Sequence, residues 1–358
     1  MKLITFVVPC YNSAEYMRHC IDTLLAGGDE AEIIIVNDGS TDRTGGIADG
    51  YAERYPGMVR VIHQKNSGYG EGVNRGLDAA AGLYFKIVDS DDWVDEGALR
   101  GLLDIARGYA APGAAPDLLV CNYVYEHAGS GARKMVHFRH ALPRGRVFAW
   151  DETRRFGAFS FMLMHALVYR TALLRDTAPR LPPHTFYVDN ILAYQPLPAV
   201  KTIRYTDLPL YHYYLGRPGQ TIDEQVLARN IGQHARVIRI LFDSIDYSAV
   251  AKAQPRLAKY MRHGLSMMML VSSLVMLEKN TEESLVMKEE LWGCLKAQDP
   301  RLYSRIRYRS FCVFAFLPGK AGRKTGAWLY RAGSRVITLA GKAIIRTRAF
   351  KARLLKAQ

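Results

Sequence analysis

The sequence predicts an α/β protein built on a mostly parallel β-sheet with helices on both faces. Short β-rich runs alternate with helical patterns along the first hundred residues, and segments ending in Gly or Asn separate them. With 358 residues, of which 49% are hydrophobic, the chain is long enough for one large domain and an appendage.

Four strands are expected in the N-terminal part, at residues 3–8, 32–37, 59–63 and 84–88. The first run ends at Pro9 and lacks the long apolar region and the small-residue cleavage site of a signal peptide, which favours a strand. Asn12 and Glu15 predict a capping-box start for the next helix. Further helices are expected after residues 40–42 and after the Gly-rich stretch 68–72.

The rest of the chain is expected to form a mixed α/β half, then a helical subdomain, then a basic tail. The elements predicted for the mixed half are a strand at 117–125, a helix at 161–174, and strands at 200–205 and 210–214. Residues 224–295 follow, with a helical pattern and few Gly and Pro residues.

Three carboxylates follow the fourth predicted strand, at Asp89, Asp91 and Asp92. Strand alternation would put Asp89 and Asp91 on one side of the backbone, where both can face one ligand. Hard oxygen ligands at that separation suit Mg²⁺ or Mn²⁺ bridging a diphosphate, at the edge where open α/β sheets bind ligands. The alternative is a solvated acidic turn that caps the helix at Glu96.

Another carboxylate, Asp38, follows the second predicted strand. At that strand end it can accept a hydrogen bond from a nucleobase N–H or a ribose hydroxyl, while Gly39 lets the backbone turn sharply. An Asx turn with a helix cap is the alternative for residues 40–42. After the first strand, Pro9 is expected to end the ladder pairing, and Tyr11 either lies against a base or belongs to the core.

Three ordered motifs resemble those of the family-2 glycosyltransferases, which have the GT-A fold, over roughly the first 220 residues. They are Pro-Cys-Tyr-Asn at 9–12, Asp-Gly-Ser-Thr-Asp at 38–42 and Asp-Ser-Asp-Asp at 89–92. The resemblance implies a nucleotide-diphosphate sugar as donor and Mg²⁺ or Mn²⁺ as cofactor. The contacts that it implies are Asp38 with the base, Asp89 with the nucleotide, Asp91 and Asp89 with the metal, and Pro9, Tyr11, Asn12 and Ser90 with the nucleotide sugar.

Two further matches to the family are imperfect. The Asn-x-Gly that ends at Gly68 and the Asn-x-Gly that starts at Asn74 resemble family motifs, so both residues are expected to contact the donor. Val73 stands where the family often has arginine. A phosphate contact is therefore either missing or supplied by a neighbour such as Arg75.

The resemblance extends to an acceptor half, with an acidic residue after an aromatic, a Tyr-x-Tyr strand and a basic loop. Asp189 is the single acidic candidate, because Val188 replaces the usual first carboxylate. We expect Asp189 to be the general base that takes the proton of the acceptor hydroxyl in an inverting transfer. The alternative is that it only caps a helix beginning at Asn190. His212 and Arg217 are expected to meet the diphosphate, although a His on an aromatic strand is more often a core group.

The net charge of +14 is concentrated in the C-terminal tail, residues 301–358. The tail carries 15 Lys and Arg residues and no Asp or Glu, so residues 1–300 are close to neutral. Residues 331–346 would form a moderately amphipathic helix with a basic face. An anionic membrane surface is the expected partner. A basic helix packed on the enzyme is the alternative, and no RNA or DNA motif accompanies the charge.

Cysteine spacing and hydropathy predict the compartment. The five cysteines have neither paired nor metal-ligand spacing, which favours a reducing environment. The uncharged stretch 264–277 has 14 residues, fewer than the ~20 that span a bilayer, so a buried helix is expected. We therefore expect a cytoplasmic protein, peripheral at the inner face of the cell membrane.

Four segments are predicted to serve one enzymatic function. They are a nucleotide-sugar-binding half at 1–110, an acceptor-binding half of the same domain at 111–223, a helical subdomain at 224–300, and the tail at 301–358. The expected reaction transfers a sugar to the hydroxyl of a glycan or lipid-linked acceptor in cell-surface polysaccharide or glycan synthesis. A non-catalytic nucleotide-sugar-binding module is the alternative. A sugar-nucleotide pyrophosphorylase would need a Gly-rich basic loop after the first strand, which this chain lacks.

Overall fold

The computed structural model describes residues 1–128, 131–177, 179–216, 220, 223–319, 321, 322, 324, 325 and 328. The chain divides into two compact units. The first comprises Met1–Glu126 and Lys134–Tyr214, and the second comprises His127–Arg133 and Leu215–Gln358. Arg217 and the helix expected at 331–346 lie outside the described residues.

The first unit is built on a mixed β-sheet with ten strands among the described residues. The strands are β1 (Ile4–Cys10), β2 (Ala31–Asp38), β3 (Val59–Gln64), β4 (Tyr84–Ile87), β5 (Trp93–Val94), β6 (Leu118–His127), β7 (Arg133–Val136), β8 (Val147–Phe148), β9 (Leu167–Arg170) and β10 (Ile203–Leu215). Their order is β3-β2-β1-β4-β9-β6-β10-β5, with β7 beside β6 and β8 beside β10.

Strand direction divides this sheet into two parts. β1 to β4 are parallel, whereas β9 is antiparallel to β4 and to β6, and β10 is antiparallel to β5 and β8. The helix-covered α/β sheet is confirmed. The expectation of a mostly parallel sheet holds only for β1 to β4, where helices supply the long crossovers that parallel pairing requires.

Helices follow the parallel strands and cover them. The helices of the first unit are α1 (Met17–Leu25), α2 (Thr44–Arg54), α3 (Tyr69–Ala79), α4 (Glu96–Arg107), α5 (Thr171–Thr177) and α6 (Asp189–Tyr194). Every residue of β1 and β2 is buried, as expected of strands covered on both faces. Cys10 pairs with Asn37, so β1 and β2 end at the same edge of the sheet.

The prediction of a helix at 161–174 is wrong. A 3₁₀ turn (Met164–Ala166) occupies its centre, and β9 and α5 follow. Apolar runs of this length do not distinguish a buried strand from a helix by periodicity, and pairing with β4 and β6 decides for the strand. The two strands expected at 200–205 and 210–214 form the single strand β10.

Two expectations about the end of β1 are also wrong. Pro9 does not end the ladder, because β1 continues to Cys10 and Pro9 pairs with Val36 of β2. Asn12 does not cap α1, which begins at Met17 without a side-chain cap. Asn12 instead adopts a φ of 50°, and its side-chain oxygen accepts a hydrogen bond from the N–H of Thr41 at 2.8 Å.

The second unit is helical in its described part. Its helices are α7 (Glu224–Arg229), α8 (Ile231–Ser244), α9 (Tyr247–Ala253), α10 (Pro255–Lys279), α11 (Glu282–Gln298) and α12 (Pro300–Arg309), followed by a 3₁₀ turn at Phe311–Phe316. The uncharged stretch 264–277 lies within α10, where Met269 and Met276 are buried, as expected. Among the described residues, no helix combines the length and the apolarity needed to cross a bilayer.

Candidate active site

The loops that follow β1, β2 and β4 meet at one edge of the sheet. The hydroxyl oxygens of Ser13, after β1, and Ser90, after β4, are 2.8 Å apart and share a hydrogen bond. The N–H of Asn12 donates to the hydroxyl of Ser40, after β2, at 3.0 Å. The three sequence motifs are therefore brought together at the carboxyl ends of the parallel strands, where open α/β sheets bind ligands.

The acidic turn, residues 89–92, begins beyond the end of β4. That strand ends at Ile87, and the N–H of Asp92 donates to the carbonyl of Asp89 at 2.9 Å. The placement of Asp89 and Asp91 by strand alternation is therefore wrong, because the chain has already left the strand. Both carboxylates are partly exposed at the sheet edge.

Asp92 is the buried anchor of the acidic turn. Its carboxylate accepts hydrogen bonds from the hydroxyl of Tyr211 at 2.6 Å and from the N–H of Tyr214 at 2.8 Å, both on β10. The Tyr211 hydroxyl also accepts from the N–H of Asp89 at 3.2 Å. Burial and the neighbouring Asp89 raise the pKa of Asp92 well above its usual range. Strand β10 therefore fixes the position of the turn.

Tyr69, the first residue of α3, contacts the acidic turn. Its hydroxyl donates to Asp89 Oδ1 at 2.8 Å. Burial, then the charges of Asp89 and Asp189, raise the pKa of Tyr69 well above its usual range. Since two carboxylates act on one hydroxyl, Asp189 and Asp89 lie near the same point. Tyr69 was not among the residues expected from the sequence, where its place between two glycines after a strand end was the available signal.

Lys86, in β4, is a buried cation that sequence analysis also missed. Its Nζ donates to the carbonyl of His165 at 2.7 Å, and two further carbonyls lie 3.4 Å away. The ammonium is 5.0 Å from the centre of the Tyr211 ring. Burial lowers the pKa of Lys86 to about 8, although Asp89 partly opposes that shift. In the sequence, a lysine within an apolar strand was the signal that could have identified this buried cation beside the acidic turn.

Asp189 is the first residue of α6. The helix begins at Asp189 and not at Asn190, and Val188 before it is buried and makes no side-chain cap. Protein surrounds most of the Asp189 carboxyl group, although part of the residue reaches solvent. This burial raises the pKa of Asp189 to about 6, while the N–H groups of Asp189 and Asn190 oppose the shift. Such a group is ionised at neutral pH and suited to accept a proton.

The segment 181–189, which ends in Asp189, is held by the loop after β3. The N–H of His184 donates to the carbonyl of Ser67 at 3.1 Å. Gly68 has a φ of 86°, and a Cβ at this position would lie 2.5 Å from the backbone nitrogen of His184. Gly68 is therefore required for packing against the segment, a role that the expected donor contact did not include.

Asn74 in α3 holds the other end of this segment. Its buried side chain donates to the carbonyl of Leu181 at 2.9 Å and accepts from the N–H of Leu181 at 3.0 Å. These bonds occupy the amide and argue against the expected donor contact. Val73 is buried, and Arg75 is exposed, with its guanidinium 3.5 Å from Glu71.

Asp38 is buried at the end of β2, with 4% of its surface exposed. Its carboxylate accepts from the N–H groups of Ser67 and Gly68, both at 2.8 Å, and from the side-chain amide of Gln64 at 2.7 Å. Gly39 has the positive φ, 69°, that its expected sharp turn requires. In this arrangement Asp38 positions the loop after β3, and its contact with a base remains a prediction.

Two aromatic candidates have different surroundings. Tyr11 is 53% exposed, which excludes the core alternative. His212 is buried, with its Nδ1 2.8 Å from a Glu126 oxygen and its ring stacked on Trp93 at 5.6 Å between ring centres. One ring nitrogen of His212 thus has a buried partner, as the core alternative expects. A contact of His212 with the diphosphate remains a prediction.

Comparison with known proteins identifies the unit that carries these residues. Residues 5–170 match the family described as glycosyl transferase family 2. This region is a family-2 glycosyltransferase domain. The match contains all three motifs and Tyr69, whereas Asp189 lies beyond it.

Relatives of the family-2 domain share part of the chain. EpsH of Bacillus subtilis (strain 168), named as a glycosyltransferase, is 31% identical over 225 residues, which are 59% of this chain and 60% of EpsH. EpsJ of the same organism, also named as a glycosyltransferase, is 43% identical over 108 residues, which are 30% of this chain and 31% of EpsJ. The chain therefore spans less than two thirds of the length of both relatives.

A solved structure resembles most of this chain in fold. The crystal structure of S. aureus TarS 1–349 in complex with UDP-GlcNAc has a TM-score of 0.64 and 19% sequence identity, covering 93% of this chain and 92% of that one. At this identity the likeness shows the fold alone, and the GT-A-like fold expected from the motifs is confirmed.

The side chains of the family-2 domain fit a divalent cation that arrives with a diphosphate. Within the described part of the chain, no group of three His, Cys, Asp or Glu side chains could hold a metal ion. Asp89 and Asp91 offer carboxylate oxygens, whereas Asp92 is bound to β10. Mg²⁺ is commonly held by one or two carboxylates together with waters and substrate phosphates, and this pair fits that pattern.

Proposed function

We propose that the first unit, which contains the family-2 domain, transfers a sugar, with inversion, from a nucleotide-diphosphate donor to an acceptor hydroxyl. The observation that carries the proposal is the convergence on Tyr69. Its hydroxyl donates to Asp89, and its pKa responds to Asp89 and to Asp189. A carboxylate suited to the donor's metal therefore contacts the Tyr69 hydroxyl, and a carboxylate suited to the acceptor's proton lies close enough to influence the same hydroxyl.

Asp189 is the proposed base of this reaction. As the acceptor oxygen attacks the anomeric carbon from the face opposite the leaving group, its proton passes to the Asp189 carboxylate. The bond from the anomeric carbon to the diphosphate oxygen breaks, and the electron pair leaves with the nucleotide diphosphate. A positioned base of this kind contributes about 10² to 10⁴-fold in rate.

Asp89 and Asp91 are the proposed ligands of Mg²⁺ or Mn²⁺. The bound ion would supply positive charge that neutralises the departing diphosphate. The chain's own contribution is to hold these carboxylates at the sheet edge through Asp92 and the Tyr211 hydroxyl. Exposed Tyr11 is a candidate for stacking on the base of the donor.

The substrates follow from this site and from the resemblances. TarS was solved with UDP-GlcNAc, so a nucleotide-diphosphate sugar is the proposed donor class. We further propose a glycan or lipid-linked acceptor in cell-surface polysaccharide or glycan synthesis. The basic segment 301–358 supports action in the cytoplasm at an anionic membrane face.

Asp189→Asn tests the base. Turnover should fall at least ~10²-fold with donor binding unchanged, because the amide cannot accept the proton. Nucleotide-diphosphate release from a panel of sugar nucleotides with Mn²⁺ measures it. In the parent enzyme the acid limb of kcat/KM should lie near the pKa of Asp189, about 6, with activity rising as the carboxyl ionises. Exposed Asp29→Asn is the control, and near-normal turnover by Asp189→Asn would refute the assignment.

Asp91→Ala tests the metal ligand. The additional thermal stabilisation that Mn²⁺ gives in the presence of a nucleotide diphosphate should be lost, while stabilisation without Mn²⁺ stays at the parent level. Asp29→Ala removes an exposed carboxylate of the same unit and should behave as the parent. Unchanged Mn²⁺-dependent titration in Asp91→Ala would remove the metal from the proposal.

A non-catalytic nucleotide-sugar-binding module is the second candidate. Buried Val73 and Val188 favour it, since both stand at positions where the family usually has charged side chains. The sugar-nucleotide panel separates the two candidates. An enzyme releases nucleotide diphosphate, whereas a binding module is stabilised by the donor and leaves it intact.

A further inference from the structure

We infer that Arg262, Arg305 and Arg309, here named the arginine pocket, form a binding site for a phosphate group in the helical second unit. The three side chains line one cavity of about 340 Å³. A second cavity of about 210 Å³ shares Arg262 and Arg305 in its wall and lies among α9, α10 and α12. Nothing in the sugar-transfer reaction uses these residues.

The arginine pocket brings three cations together, and the carboxylate of Asp299 lies in the wall of the adjoining cavity. None of its three guanidiniums has a carboxylate within ion-pairing distance among the described residues. Asp299 lines the smaller cavity, but its carboxylate caps α12 by accepting from the N–H groups of Arg301 and Leu302 at 3.0 and 2.9 Å. Clustered like charges repel one another, and a bound anion would relieve that cost.

Arg262 shows this cost most clearly. It lies in α10 and is partly buried, whereas Arg305 and Arg309 are exposed on α12. Burial, and then repulsion from Arg305, lower the pKa of Arg262 below its usual range. The negative charge of a bound anion would oppose the repulsion from Arg305 and raise the pKa of Arg262 again, and the planar guanidinium suits two-point contact with phosphate oxygens.

The sizes and neighbours of the cavities favour a phosphate ester on a small group. The volume of the larger cavity, about 340 Å³, lies at the lower end of the range for small-molecule sites. Helical spacing places Arg301 and Tyr308 on the same exposed face of α12 as Arg305. Tyr308 and Phe311 are 62% and 54% exposed, and aromatic side chains beside basic ones suit a membrane interface. The ligand is therefore either a lipid headgroup or a free phosphate ester, and these share the same chemistry.

The test compares the full chain with two double variants that lose equal charge. Arg262→Gln with Arg305→Gln alters the pocket, and Arg229→Gln with Arg239→Gln alters exposed arginines of α7 and α8. One arm titrates glycerol phosphate at constant ionic strength by thermal shift. The other measures flotation with phosphatidylcholine vesicles with and without phosphatidylglycerol.

The pocket variant should bind at least ~10-fold more weakly than the control variant in one or both arms. Loss in the vesicle arm identifies a lipid headgroup, and loss in the soluble arm alone identifies a free phosphate ester. Equal behaviour of the two variants in both arms, or no binding by the parent, overturns the site. Arg305→Gln alone, at an exposed position, replaces the double variant if that one fails to fold. Donor hydrolysis in the same preparations reports separately on the family-2 domain.

Discussion

The acidic turn 89–92 and the segment 181–189 bring carboxylates to one site, but they are held in different ways. The turn is fixed by Asp92, which hydrogen-bonds to the regular strand β10. The segment contains two non-glycine residues with positive φ, His184 at 45° and Tyr187 at 66°. Such conformations persist only where the surroundings impose them. A sheet therefore positions the carboxylates that are proposed to bind the metal, whereas loop packing positions the proposed base.

Gly68→Ala should disrupt the packing that holds the segment 181–189 and have the largest effect of the substitutions considered. Gly68 combines a φ of 86° with a ψ of 163°, a region that only glycine adopts readily, and the new Cβ would collide with His184. The free energy of unfolding should fall by about 3 kcal/mol, with turnover at least ~10²-fold lower. Urea unfolding and nucleotide-diphosphate release measure the two effects.

Gly57→Ala is the matched control for that substitution. Gly57 has a φ of 82°, but no atom outside its neighbours lies within 4 Å of the Cβ that alanine would add. It should lose only about 1 kcal/mol and keep normal turnover. If both variants lost equal stability and activity, contact with His184 would not be what holds the segment.

Asp92→Ala should release the acidic turn from β10, with a smaller loss of stability than Gly68→Ala. The hydroxyl of Tyr211 and the N–H of Tyr214 would lose their acceptor, while repulsion between Asp92 and Asp89 would be relieved. We expect a net loss of about 2 kcal/mol in urea unfolding and weaker donor binding. Asp92→Asn keeps one acceptor oxygen and should lose less, so an equal loss in both variants would contradict the anchor role.

The sequence alone predicted the residues at the strand ends better than it predicted the packing of the segment 181–189. Strand ends followed by carboxylates have a direct meaning, because parallel strands deliver their carboxyl ends to one edge. Asp38 ends such a strand, Asp89 follows another, and both lie at the expected edge of the sheet. Their position in the sequence did not reveal that Asp38 would be enclosed by Gln64 and by the N–H groups of the loop after β3.

The packing of the segment 181–189 depends on contacts between residues far apart in sequence. Asn74 binds Leu181, and Gly68 packs on His184, more than a hundred positions along the chain in both cases. No local pattern encodes such pairs. The helix wrongly expected at 161–174 has the same origin, because pairing of β9 with β4 and β6 overrides an ambiguous apolar run.

Asp189→Asn should raise the free energy of unfolding while it removes activity, which distinguishes the proposed base from residues that hold the fold. The raised pKa, about 6, means that folding favours the protonated acid, so ionisation above that pH destabilises the folded state. At pH 8 the asparagine variant should be more stable by about 1–2 kcal/mol, allowing for partial exposure and for lost helix N-terminal interactions. The advantage should shrink as pH falls from 6 towards 4. Urea unfolding from pH 4 to 8 measures it, and a pH-independent difference would contradict this origin.

Tyr69→Phe should have the smallest effect on stability. Tyr69 lies between the acidic turn and the segment that ends in Asp189. Losing the hydroxyl that donates to Asp89 should cost less than ~1 kcal/mol, because partly exposed Asp89 can bind water instead. kcat/KM should nevertheless fall about 10-fold, since the carboxylate loses its orienting contact. Tyr51→Phe is the control, because its hydroxyl donates to Asp22 at 2.6 Å outside the site. Tyr51→Phe should match the stability change without the kinetic one, and equal kinetic losses would show that Tyr69 supports the fold and not the reaction.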